Sequence, residues 1–224
     1  MKPDDCESIM KHMRKYSIVR LAGLASIIGA VGLIIWWFLM PILLPVSDAA
    51  ENFMNMILHP FWLPVNMMGL IAILILTLGF PGFYLARSES FGKWGFTGSV
   101  LAVSGLILYT CIQYYETLIW PAAASQYPDL VQVEGALVSG NAGVVAGLIV
   151  SGLILSFGYV LFGLMSIKKH TFPKVSSWLI IFGAPLFGVG VVFPVRTIGI
   201  ILFCTATIWN GIHIRKTSEG GQDR

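Results

Sequence analysis

The run from Asn141 to Ile167, NAGVVAGLIVSGLILSFGYVLFGLMSI, carries no charged residue. A helix of that length crosses a hydrocarbon layer of about 30 Å with some tilt. Asp129 and Glu134 precede it, and Lys168 and Lys169 close it. Gly143, Gly147 and Ser151 recur at helical spacing on one stripe, with Ala142 and Ala146 beside them. In lipid, a stripe of small residues lets a second helix approach closely, so this span is expected to be central and to pack along that stripe.

The rest of the chain has the same character. Of its 224 residues 56% are hydrophobic and 11% charged, where a soluble domain carries about a quarter charged residues. Mean hydropathy is +0.81. Most of the surface must therefore face lipid or other membrane helices. A net charge of +3 is too small for nucleic-acid binding. Cys6, Cys111 and Cys204 stand far apart with no CxxC pair, which leaves no disulfide framework or metal spacing. The N-terminus begins with acids and its first apolar stretch lacks an A-x-A site, so it reads as no cleavable signal peptide.

In order along the chain, residues 3–16 read as a cytoplasmic amphipathic helix on an anionic inner leaflet. Asp4 caps it with Glu7 as reciprocal partner, Ile9, Met13 and Tyr16 share one face, and Lys11, Arg14 and Lys15 take the other. Residues 17–214 read as one six-helix transmembrane domain, and 215–224 as a disordered cytoplasmic tail. The first span is Ser17–Met40, with Trp36, Trp37 and Phe38 at the outer interface. Between Pro41 and Trp62, the polar residues Asp48, Glu51, Asn52, Asn55 and His59 oppose Ala49, Phe53, Met56 and Ile57. With Ser47 as cap and Pro60 as stop, that pattern predicts an amphipathic outer helix. The second span is Leu63–Ala86, loosened at Pro81 and Gly82, and Arg87–Lys93 links it to a third, Trp94–Trp120. Residues 121–140 form a second outer connection, helical after Asp129. The 141–167 span is followed by a basic link, Lys168–Lys174, a fifth span, Val175–Phe193, bent at Pro185, a tight turn at Pro194–Arg196 and a sixth span ending near Ile214.

Every Lys and Arg except Arg196 falls in the N-terminal segment, the 87–93 link, the 168–174 link or the C-terminal tail. The positive-inside rule then places both termini in the cytoplasm of a plasma-membrane protein. Internal similarity adds a pattern. SIIGAVGLII (Ser26–Ile35) matches SVLAVSGLIL (Ser99–Leu108), and MGLIAILILTLGF (Met68–Phe80) echoes AGLIVSGLILSFG (Ala146–Gly158). Both matches pair spans of like orientation, which suggests up to three tandem helical hairpins. Shared Gly, Leu and Ile content alone gives the same likeness.

Chemical motifs are scarce. GxxxxGK[ST], HExxH and GxSxG are all absent, and His12, His59, His170 and His213 fall at different depths, so neither a metal nor another cofactor is expected. One constellation stands out at the outer helix ends. Tyr109, Gln113, Glu116 and Trp120 share a face of the third span, while Asn66, Asn141 and Arg196 begin the second, fourth and sixth. Polar groups at membrane depth face the bundle interior, because lipid offers them no hydrogen bond. They predict an outward-opening cleft under the 47–59 helix and the 121–140 connection, with Arg196 paired to Glu116 or Glu134. The plainer alternative is snorkelling and helix capping at the interface. Asn210 and His213, at the inner end of the sixth span, form a second candidate, with capping again the plainer reading.

At RLAGL…MPILLPVSDAAENF (Arg20–Phe53) the chain resembles a broad group of uncharacterised prokaryotic integral membrane proteins, a domain of unknown function with an Arg-Ala-Gly-Leu-type start and a Pro-Val-x-Asp-Ala-Ala outer stretch. The likeness covers about one sixth of the chain. It implies a six-helix membrane fold and a prokaryotic source, and transfers no site or activity.

The function these features point to is non-catalytic: binding of a lipidic or small apolar ligand, or of a membrane partner, through the outer half. A small transporter is the first alternative, with Pro81 and Pro185 flanking a midplane cavity, although only Thr77, Ser104, Ser151, Ser156 and Thr205 are polar near the centre. An intramembrane enzyme using Glu116 as acid or base is the second.

Overall fold

A computed structural model describes residues 3–45, 49–190 and 192–219, with the backbone alone described at 3–15, 49–52 and 218–219. Apolar runs without water to satisfy their backbone must hydrogen-bond internally, and the described residues are helical with short connections. Helix α1 spans Pro3–Leu43, about 61 Å at 1.5 Å per residue. The expected surface helix over 3–16 is therefore not a separate element. No glycine or proline stands between Asp4 and Ala22 to end it, so it continues into the first apolar run.

Helix α2 is Ala49–Ile57. Ser47 and Asp48, its expected cap and first polar residue, lie outside the described residues, as do the side chains of Glu51 and Asn52. Helix α3 is Trp62–Gly79 and α4 is Pro81–Tyr114. The α4 backbone leaves helical angles at Arg87 (φ −134°) and at Gly92 (φ 62°), a left-handed value that glycine adopts without strain. That break is the expected 87–93 link. It turns the continuous apolar stretch Trp62–Gln126 back on itself, so Gln113 Nε2 donates to Asn66 Oδ1 at 3.3 Å from 47 residues away.

A π turn, Tyr115–Ile119, follows α4. Pro121 supplies a cause: its ring would collide with the Thr117 carbonyl in a regular α-helix, and the wider turn relieves it. Helices α5 (Trp120–Gln126) and α6 (Pro128–Val131) then precede a turn-rich stretch to Gly140. Helix thus lies mainly before Asp129, not after it. Helix α7 is Ala142–Lys169, and α8, Lys174–Gly188, is only 15 residues long. Helix α9 is Phe193–Glu219. Pro194–Arg196 is its first turn and not a loop, since proline's fixed φ suits the first helical position. The helix also runs past Ile214 into what was expected to be disordered tail.

Among the described residues, four stretches are long and apolar enough to cross a membrane: Tyr16–Leu43, Trp62–Gln126, Ala142–Lys169 and Phe193–Thr217; α8 is apolar but shorter. Packing arranges the long helices in a closed ring, in the order α1, α3, α4, α7, α8, α9 and back to α1. Neighbours run antiparallel. Gly29 meets Ala72 and Leu76 while Gly79 meets Ser26, and Gly98 meets Phe162 while Gly105 meets Leu155. Gly183 lies on Phe203, and Gly23 lies on Gly211. Aromatic rings fill the centre. Phe80 contacts Tyr159 (4.7 Å between centroids), Tyr159 contacts Phe203 (4.8 Å), and Phe187 joins Phe203 (5.5 Å) to Tyr109 (4.9 Å).

Of the expected contact stripe of α7 only Ser151 is packed, and the turns carrying Gly143 and Gly147 are not. A side chain at Gly147 would meet nothing within 4 Å, and residues 142–150 are exposed or half-buried. The packed face starts at Ser151 and continues through Gly152, Leu155, Gly158, Tyr159 and Phe162. The reason is the shortness of α8, which ends at Gly188 beside Gly152 and leaves the first turns of α7 without that neighbour.

The internal similarity survives in one half. Ser26 and Ser99 each donate to the carbonyl four residues back (2.9 and 2.8 Å), and Gly32 and Gly105 each face the next helix of their hairpin. In the second match the register slips by about one turn. Gly79 packs on Ser26, whereas its counterpart Phe157 is 66% exposed and Gly158 sits on Ala102.

The ring has two unlike ends. Arg20, Arg87, Lys93, Lys168, Lys169, Lys174, Arg215 and Lys216 fall at the end where α1 enters and α9 leaves. Arg196, in the first turn of α9, is at the other.

Candidate functional site

At the capped end, four elements bring polar side chains together. The last turns of α4 supply Tyr109 and Gln113, the π turn supplies Glu116 and Thr117, α3 supplies Asn66 in its first turns, and α9 supplies Arg196 in its first. They form two clusters.

The first centres on Arg196. Its Nη2 donates to the Tyr109 hydroxyl. Its Cζ lies 5.5 Å from the Trp37 ring centroid, 5.7 Å from Tyr109 and 6.0 Å from Phe187, within cation–π range of all three. Trp37 is held in place by its own bond from Nε1 to Thr197 Oγ1 (2.9 Å) and by stacking on Phe193 (4.9 Å). Arg196 and Glu116 interact electrostatically, but among the described residues the guanidinium's side-chain hydrogen bond goes to Tyr109. Both residues are half-buried, yet the Arg196 Nε lies fully inside with no hydrogen-bond partner among the described residues.

The second cluster is uncharged. Asn66 Nδ2 donates to the Trp62 carbonyl (3.0 Å), Asn66 Oδ1 accepts from Gln113 Nε2, and the same amide lies 3.4 Å from Thr117 Oγ1. Thr117 in turn donates to the Gln113 carbonyl. Tyr109, Gln113, Glu116 and Trp120 share a face only in an unbroken α-helix. The wider π turn lessens the rotation per residue between Gln113 and Trp120, so Trp120 leaves the face that Tyr109 and Gln113 share on α4.

Trp120 belongs to the lid. Its Nε1 (3.1 Å) and the Tyr115 hydroxyl (2.9 Å) both donate to the Leu137 carbonyl, pinning the 132–140 stretch over the helix ends. Phe53 of α2 packs edge-on against Trp120 at 5.4 Å, and Trp62 stacks on it at 6.4 Å. Helix α2 and the Leu137 stretch thus both pack on Trp120.

Two expected members stand apart. Asn141 is exposed and caps α7, its Oδ1 accepting from the Gly143 N–H at 2.8 Å, which is the plainer reading of that residue. Glu134 is exposed on the lid stretch and takes no part in the interactions of Arg196, so of the two expected acidic partners Glu116 is the one beside it. Sequence reasoning missed Trp37 and Phe187 as walls of the arginine box. Trp37 read as an interfacial anchor, and only the antiparallel pairing of α1 with α9 brings it to Arg196. The π turn was also missed, although Pro121 signalled it.

Beside these clusters lies a groove of about 290 Å³, lined by Ile57, Leu58, Trp62, Leu63, Leu118 and Pro121, with His59 and Thr117 as its polar members. Its size is at the lower bound of small-molecule sites, about 300 Å³, and its lining is mainly apolar, as such sites are. At the opposite end, Asn210 is buried and accepts from Ser176 Oγ at 2.7 Å, so it ties α9 to α8 instead of capping a helix. His213 Nε2 lies 3.4 Å from Arg87 Nη2.

The chain matches no family model, no curated protein and no solved structure.

Proposed function

We propose that this chain crosses a plasma membrane six times with both termini in the cytoplasm, and binds a lipidic or small apolar ligand at its capped, outward-facing end. The six ring helices are the six crossings, the second running through α3 and the first turns of α4 to the 87–93 break; α8, at about 22 Å, is the thin one and is matched by local thinning of the bilayer. The basic end lies inside, on the positive-inside rule. A prokaryotic source follows from the resemblance of Arg20–Phe53.

The observation that carries the ligand reading is the apolar groove between the α2–α3 corner and the π turn. Its walls are side chains that a lipid tail wets well, and it opens at the depth where acyl chains meet headgroups. A membrane partner protein inserting an apolar side chain would use the same surface. The central aromatic column weighs against a transporter, because a midplane passage would have to displace Phe80, Tyr159 and Phe203, each fully buried. Glu116 interacts electrostatically with the Arg196 guanidinium, which suits charge pairing better than acid–base work.

Leu118→Trp fills the groove from one wall. Full-length protein purified in mild detergent is expected to retain about one lipid-sized molecule per chain by native mass spectrometry, and Leu118→Trp at least tenfold less at unchanged helix content. Equal retention by both proteins would refute the groove as the binding site.

A further inference from the structure

Resting on that ligand reading, we propose that Arg196 and Glu116 hold the two charges of a phosphoethanolamine headgroup, the phosphate at the guanidinium and the primary ammonium at the carboxylate, while one acyl chain enters the adjoining groove.

Four observations converge on this pairing. First, the two residues interact electrostatically yet share no hydrogen bond, and both keep part of their surface exposed. Two opposite charges left unbridged match a ligand that carries both signs. Second, the guanidinium is oriented before any ligand arrives. Trp37, Tyr109 and Phe187 box it in, one donor is used on Tyr109, and its Nε has no partner among the described residues. Arginine's planar fork suits a phosphate in this setting better than lysine's point charge.

Third, the depth is right. Along α9, Arg196 stands about 28 Å from Arg215 at 1.5 Å per residue, close to one hydrocarbon thickness, so it reaches the opposite headgroup level. Fourth, Glu116 shares the π turn with Thr117, and Leu118 follows on that turn. Both of those residues line the groove, so the charged site and the apolar site adjoin along one stretch of backbone.

The balance of charge selects among headgroups. Arg196 is the one Lys or Arg at this end among the described residues. A purely anionic lipid would gain the arginine and meet Glu116 as a like charge. A choline headgroup offers a cation without N–H donors, and so loses the charge-assisted hydrogen bond to the carboxylate. The primary ammonium satisfies both partners.

The test uses the full-length protein with dioleoyl phosphatidylethanolamine, phosphatidylcholine and phosphatidylglycerol offered at equal concentration, and bound lipid counted by native mass spectrometry. Phosphatidylethanolamine is expected to be retained at least tenfold over each of the others. Glu116→Gln, nearly the same size, should cut its preference over phosphatidylglycerol to within twofold while lipid is still bound. Arg196→Gln should lower retention of all three. Equal retention of the three headgroups by the wild-type chain, with Leu118→Trp still removing lipid, would overturn this headgroup assignment and leave the groove reading standing. No retained lipid of any kind would defeat both. Soluble glycerophosphoethanolamine binding as tightly as the whole lipid would also overturn the proposal, since the chain would then add nothing.

Discussion

Gly158→Leu is expected to leave almost no folded protein. Gly158 packs directly on α4, where a Cβ would fall within contact distance of the Ala102 backbone nitrogen and 2.6 Å from its Cα. The obstacle is backbone, so no side-chain rotation relieves it. A leucine there must push α4 and α7 apart along their whole contact. Overpacking in a close-packed interior costs about 1–3 kcal/mol where neighbours can shift, and more where they cannot. Against a total stability of about 5–15 kcal/mol, that is enough to empty the native state in the cell. Size-exclusion chromatography of the detergent extract reads the result directly. Gly147→Leu is the matched control: it adds the same side chain to the same helix where nothing lies within 4 Å, and should run as wild type. A monodisperse Gly158→Leu protein would show that α4 and α7 do not meet as described.

The second large effect is at the centre of the ring. Phe80→Ala should destabilise the protein by about 3 kcal/mol, the low end of the range for truncating a buried phenylalanine. The low end is appropriate because lipid is as apolar as the core, so what is lost is packing and not transfer from water. Phe80 is fully buried and lies 4.7 Å from Tyr159, 5.1 Å from Phe162 and 5.4 Å from Phe83. Truncating it removes three aromatic contacts at once, each worth about 0.5–1.5 kcal/mol. Leu78→Ala, at a site 76% exposed, should shift stability by less than about 0.5 kcal/mol. The readout is the thermal or denaturant midpoint of the two variants in the same detergent. Equal midpoints would mean that the column does not bind the helices together.

These two sites also mark what sequence reveals and what it hides. The segregation of bases and the break at 87–93 were readable, because each follows from depth along a helix of known rise. Charge position and helix length set depth directly. The depth at which packing along a helix stops was less readable. How much of α7 packs depends on where α8 stops, and nothing within α7 encodes the 15-residue length of α8. Gly143 and Gly147 therefore looked as well placed as Ser151, the one member of that stripe that packs. A second limit split the expected cleft. Tyr109, Gln113, Glu116 and Trp120 share a face at 3.6 residues per turn, and the π turn takes Trp120 to the lid while Gln113, ahead of it on α4, bonds Asn66. Trp37 was hidden for a third reason, since its role depends on a neighbour 160 residues away.

Site-directed labelling tests the topology on which the outward-facing site depends. In a chain whose own three cysteines are replaced, Ser125→Cys on the exposed surface of α5 and Ser88→Cys at a partly exposed position of the 87–93 break lie at opposite ends of the ring. A membrane-impermeant maleimide added to intact cells should label Ser125→Cys and should reach Ser88→Cys only after the cells are opened. Labelling of Ser88→Cys in intact cells, or protection of Ser125→Cys there, would contradict the account.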